Sequence, residues 1–103
     1  VWFDDTPITL EITLAAREVI LGSGGDVYVW TKRHGWLFGG IWMLEADTMR
    51  PTDPDLKFER LAAKGFDVFL DLGPCPVPER LVLELRGRRS RIAAYWNNQS
   101  YVF

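Results

Sequence analysis

The chain has 103 residues, of which 48% are hydrophobic and 25% charged, a composition that fits one globular core and excludes a disordered chain. Its net charge of -2 argues against nucleic acid or an anionic membrane surface as partner. The single cysteine, Cys75, excludes an internal disulfide, and no apolar run approaches the ~20 residues that span a bilayer. No signal peptide is visible. Both ends, Val1 and Val102-Phe103, read as cut from a longer protein or pinned into a sheet edge.

Ile8 to Leu14 alternates without a break, with Ile8, Leu10, Ile12 and Leu14 on one face and Thr9, Glu11 and Thr13 on the other. That period of two predicts a half-buried strand, which Glu18 to Leu21 extends after a bend or follows as a short strand. Gly22-Ser23-Gly24-Gly25 breaks the chain. Strand chemistry follows it in Val27-Tyr28-Val29-Trp30-Thr31, so a turn is expected there rather than a phosphate cradle leading into a helix. Lys32 to Gly35 reads as a loop, and Trp36 to Ala46 as one strand or two, with Gly39-Gly40 marking a bulge. Met49 to Asp55 is a loop, and Leu56 to Lys64 is ambiguous between strand and short helix.

Phe66, Val68, Leu70 and Leu72 alternate with Asp67, Phe69 and Asp71, which predicts a second clear strand. The proline-rich Gly73 to Pro78 cannot carry regular ladder bonds and must connect. Leu81, Leu83 and Leu85 form the apolar face of a further strand. Gly87 marks a turn, Arg91 to Trp96 is the next strand, and Tyr101 to Phe103 closes the sheet. Many short strands with turn signals between them predict an all-β fold, an antiparallel β-sandwich of immunoglobulin-like type, as a single domain over 1–103.

Few residues offer chemistry. His34 is the only histidine, without a second one to build a metal site. Cys75 lies between two prolines and reads as an inert thiol. Arg86, Arg88, Arg89 and Arg91 cluster around Gly87, either as a solvated hairpin tip or as a grip for anions. Asp47, Asp53 and Asp55 lack the spacing of a twelve-residue calcium loop. No acid–base pair stands out, and neither metal nor other cofactor is called for.

The aromatics are the unusual feature, at 14% with five tryptophans. Tyr28 and Trp30 share one strand face whose reverse carries Val27 and Val29, so that face is either buried or presented to a ligand. Trp36 follows His34-Gly35 at a loop edge, and Trp96 runs into Asn97 and Asn98. An indole ring suits the apolar C–H face of a pyranose, and an amide offers donor and acceptor together to neighbouring hydroxyls. The alternative is a core-edge tryptophan followed by an Asn-Asn turn.

In order and spacing, the alternating Ile8–Leu14, Val27-Tyr28-Val29-Trp30, His34-Gly35-Trp36, Phe66–Leu72, Leu81–Leu85 and Tyr95-Trp96-Asn97-Asn98-Gln99-Ser100-Tyr101 cover nearly the whole chain. They resemble the starch- and glycogen-binding modules of starch synthase III and of glycogen-targeting phosphatase subunits. Two positions depart from that pattern: His34 stands where the family has Asn or Asp, and the Asp before the paired asparagines is missing from a shortened loop. The resemblance implies a non-catalytic carbohydrate-binding module for α-1,4-linked glucan, polysaccharide or oligosaccharide. It implies an intracellular setting, cytoplasm or plastid, and an attached or partnering enzyme of glucan metabolism. Trp36 carries over as the stacking platform and Asn97 and Asn98 as hydroxyl-binding amides. Trp96, Tyr95 and Trp30 are further candidate ligand-binding aromatics. Two rival readings remain, a protein-interaction sandwich and an anion- or nucleic-acid-binding domain using Arg86 to Arg91.

Overall fold

The structure, a computed structural model, describes residues 2–3, 5–35, 41–89, 91–96 and the backbone of 101–102. It is built almost entirely of strands: β1 (Trp2–Phe3), β2 (Thr6–Pro7), β3 (Thr9–Ile12), β4 (Asp26–His34), β5 (Ile41–Asp47), β6 (Glu59–Ala62), β7 (Asp67–Asp71), β8 (Arg80–Arg86), β9 (Arg91–Trp96) and β10 (Tyr101–Val102). One helix, α1 (Leu14–Gly22), lies between β3 and β4. The fold is all-β and sandwich-like, as the alternation predicts. A five-stranded sheet ordered β10-β5-β4-β7-β6 and a three-stranded sheet ordered β3-β8-β9 enclose the core, and β1-β2 forms a small hairpin.

Two pairings, β3 with β8 and β4 with β7, run parallel, where a purely antiparallel sandwich was expected. Neither is joined by a tight turn: between β4 and β7 the chain passes through β5 and β6, each antiparallel to its neighbour, which brings β7 back in the direction of β4.

The helix is the main departure from the sequence reading, which had Glu18 to Leu21 as strand. The β3 alternation stops at Ile12. The Thr13 hydroxyl then accepts from the Ala16 N–H at 3.2 Å as an N-cap. Ala16 and Ile20, four apart, are fully buried, while Leu14, the apparent last member of the strand face, is 73% exposed. The helix ends where the Ser23 and Gly25 N–H groups return to the Ile20 carbonyl.

The core takes one side of each sheet. Val27, Val29, Val68 and Leu70 from the five-stranded sheet and Leu81, Leu83, Ile92, Ala94 and Trp96 from the three-stranded sheet meet around Ala16 and Ile20. Phe66, Val68, Leu70 and Leu72 are all buried, so the predicted face of β7 is correct. β4 runs on through His34, beyond the loop expected at Lys32 to Gly35, because Lys32 to His34 pair in register with Met43 to Ile41. The ambiguous stretch Leu56 to Lys64 contains a strand, β6, whose Leu61 fills the core opposite Val68.

The connection after β7 is anchored at Thr31, whose hydroxyl donates to the Leu72 carbonyl at 2.9 Å inside the core. Gly73 is positioned there with φ 55°, and a Cβ on it would come within 3.1 Å of the Thr31 hydroxyl. Only glycine fits both constraints without strain.

A candidate ligand cleft between the sheets

Strand alternation dictates what each sheet turns outward. On β4 the outward residues are Tyr28, Trp30 and Lys32; on β5 they are Met43, Glu45 and Asp47, opposite Lys32, Trp30 and Tyr28 in register. On β8 and β9 the outward residues include Glu84, Arg86, Arg91, Ala93 and Tyr95, with Arg86 opposite Arg91 and Val82 opposite Tyr95.

The two sheets approach where β5 lies alongside β9. Among the described residues, β10 pairs with β5 only at Trp42 and Met43. A cleft of about 620 Å³ lies between β5 and β9. That volume lies in the ~300–1,000 Å³ range of small-molecule sites. Its floor is apolar, where the buried Leu44, Ile92 and Ala94 and the helix residue Val19 come together. Trp30, Glu45, Asp47 and Thr48 rise from one sheet and Arg86, Arg91 and Tyr95 from the other.

The electrostatics of the cleft are uneven. Glu45 accepts from or pairs with His34 Nε2 at 3.1 Å. An Asp47 carboxylate oxygen accepts the Met49 N–H at 3.0 Å. The Arg86 guanidinium lies over the Tyr95 ring, 5.9 Å from its centroid. Neither Arg86 nor Arg91 has a carboxylate within ion-pair distance among the described residues.

Beside the cleft, the five-stranded sheet's outer face carries a cluster of aromatic rings. Tyr28 stacks on Phe69 at 5.1 Å and meets Phe58 edge-on at 5.3 Å; Trp30 meets Phe58 edge-on at 6.4 Å. Arg50 covers Phe58 at 5.5 Å. Tyr28 and Trp30 are half-buried, so this strand buries its valine face and keeps its ring face in reach of solvent.

The residues proposed from sequence separate into three groups. Trp30 and Tyr95 are brought to one cleft from different sheets. Trp96 is only 6% exposed and packs in the core opposite Leu81, so its ring has no free face for a ligand. It belongs to the inward phase of β9 with Ile92 and Ala94, a core position for a residue that the sequence offers as a candidate second ligand-binding aromatic. Trp36, Asn97 and Asn98 lie outside the described residues. Sequence reasoning missed Glu45, Asp47 and Thr48 as cleft residues. The outward phase of Ile41–Asp47 was the available signal, but it required knowing that β5 flanks β9.

The other candidates resolve locally. Cys75 is half-buried behind Leu72; burial pushes its thiol pKa up, against a smaller downward pull from its hydrogen bond with Thr31. Asp47 and Asp53 each accept the N–H two residues on, at Met49 and Asp55, which makes them turn formers. No group of three His, Cys, Asp or Glu converges on a metal position among the described residues, and no helix among them is long and apolar enough to cross a membrane. No family model, curated protein or solved structure matches the chain.

Proposed function

We propose that the chain is a non-catalytic carbohydrate-binding module for α-1,4-linked glucan, and that the sugar lies in the cleft between β5 and β9. One observation carries this reading: Trp30 and Tyr95 reach the same open cleft from different sheets, above an apolar floor and below a polar rim. A pyranose has the matching anatomy, an apolar face for an indole and a ring of hydroxyls for polar side chains. Glu45 and Asp47 accept hydrogen bonds from hydroxyls, and the Thr48 hydroxyl both donates and accepts. Trp30 provides the stacking surface, while Tyr95 carries Arg86 on its ring. Asn97 and Asn98 follow Tyr95 directly after Trp96 in the sequence and, with Trp36, remain the contacts that the resemblance implies.

The test is retention on insoluble starch with release by soluble maltooligosaccharide, followed by calorimetry of wild type, Trp30→Ala and Trp36→Ala. Retention by the wild type and loss of affinity in Trp30→Ala support the cleft. Equal affinities of wild type and Trp30→Ala move the site to Trp36 and the Asn97-Asn98 segment. A wild type that neither is retained nor binds the oligosaccharide favours the second reading, a protein-interaction sandwich. The observation behind that reading is the ring-on-ring face of Tyr28, Phe58 and Phe69.

A further inference from the structure

We propose that the cleft takes a sugar bearing an oxyanion, a phosphate ester or a carboxylate, with that group seated between Arg86 and Arg91; this rests on the carbohydrate reading of the same cleft. Arg86 and Arg91 are direct partners at the last register position of β8 and β9, on the outward face. Like charges directly opposite across a strand pair repel, and folded chains normally relieve this with an acid nearby. The closest acid on that face, Glu84, stands opposite Ala93 and makes no ion pair with either arginine. The cleft's own carboxylates are engaged, Glu45 with His34 and Asp47 with the Met49 N–H. The carboxylates stand on the β5 wall of the cleft and the two guanidinium groups on the β8–β9 wall, so the charge is divided between the sheets.

The placement of Arg86 suits the task. Its guanidinium lies over the Tyr95 ring, which holds it at the cleft wall, and a guanidinium's fork of N–H donors matches two oxygens of one anion. The same stacking limits the rotamers that binding must freeze. Arg91 supplies the second cation from across the ladder. Trp30, on the opposite wall, is positioned for the sugar ring, so ring and anion are read by different sheets.

The experiment is calorimetry at low ionic strength with four probes: maltotriose, glucose 6-phosphate, glucuronate and inorganic phosphate. The proposal expects glucose 6-phosphate, glucuronate or both to bind at least about tenfold more tightly than maltotriose, the yield of one charge-assisted bidentate contact. Which of the two is preferred identifies the oxyanion. Arg86→Gln and Arg91→Gln should each cut that advantage about tenfold. Added salt should erode it further, and both variants should melt no lower than the wild type. Maltotriose binding with no preference for the charged sugars overturns the anion site and leaves the carbohydrate reading standing. Inorganic phosphate bound as tightly as glucose 6-phosphate overturns the proposal in the other direction, since the sugar ring then contributes nothing. Failure of all four probes sinks both.

Discussion

On the outer face of the five-stranded sheet, Arg60 pairs with Asp67 at 3.1 Å and His34 with Glu45 at 3.1 Å, while Tyr28, Phe58 and Phe69 close ring on ring. On the outer face of the three-stranded sheet, Arg80 pairs with Glu11 at one end, and at the other Arg86 faces Arg91 with no acid between them. The first face pairs these rings and charges with one another within the chain. The second leaves one charge problem unsolved, at the point where the cleft opens. A surface that resolves its own interactions needs no partner to be stable, whereas one that sets two arginines at opposed strand positions leaves positive charge open to a partner. Trp30 sits at the boundary between the two, a member of the aromatic face and a wall of the cleft.

The largest effect should come from beneath the first face. Leu70→Ala removes a fully buried side chain opposite Val29 and should destabilise the fold by roughly 2–5 kcal/mol, as buried leucines do elsewhere. An unchanged denaturant midpoint would mean that the layers of β7 are reversed. The aromatic layer above it should be weaker by comparison. Trp30→Ala should weaken sugar binding by about 1–3 kcal/mol, by analogy with aromatic platforms that stack nucleic-acid bases, with the cooperative unfolding transition retained. In a double-mutant cycle, Tyr28→Ala and Phe69→Ala should couple by about 0.5–1.5 kcal/mol, the worth of one stacked pair beyond its area. Additivity there would show two independent rings instead of a self-satisfied face.

Much of this architecture is legible from period two alone. The buried face of β7, the whole of β9 and the turn at Gly87, with φ 80°, follow from the spacing of apolar residues and from the residue that tolerates a left-handed backbone. The helix is where alternation misleads. Leu14 continues the phase of Ile8, Leu10 and Ile12, yet Thr13 caps a run of good helix formers in which Ala16, Val19 and Ile20 repeat at three and four. A strand and a helix overlap in that signal, and burial of Ala16 and Ile20 against both sheets decides between them. The cleft was less legible still. Trp30 and Tyr95 could be singled out for chemistry, but that they line one cleft depends on β5 lying beside β9, a long-range arrangement that no local pattern encodes. Trp96 fails for the opposite reason: its neighbours Asn97 and Asn98 suggest an exposed edge, while its place in the Ile92-Ala94-Trp96 phase puts it inside.

The smallest predicted effect tests the comparison most directly. Arg91→Glu converts the opposed pair on β8 and β9 into an ion pair with Arg86. Cross-strand charge pairs contribute roughly 0.2–1 kcal/mol and like pairs cost a similar amount; at exposed positions each falls toward the low end, so the substitution, which gains both, should stabilise the domain by up to about 1 kcal/mol. For a domain of this size that is a rise of about 4–8 °C in Tm at the upper end. Arg91→Gln, which only removes the repulsion, should give a smaller rise. Both gains should shrink as salt is added, because the pair lies at the surface and is screened. The matching change at the satisfied end, Glu11→Gln beside Arg80, should produce no gain and a small loss. If instead Arg91→Glu melts at or below the wild-type temperature, the two guanidiniums do not oppose each other in solution, and the contrast between the two faces reduces to the aromatic cluster alone.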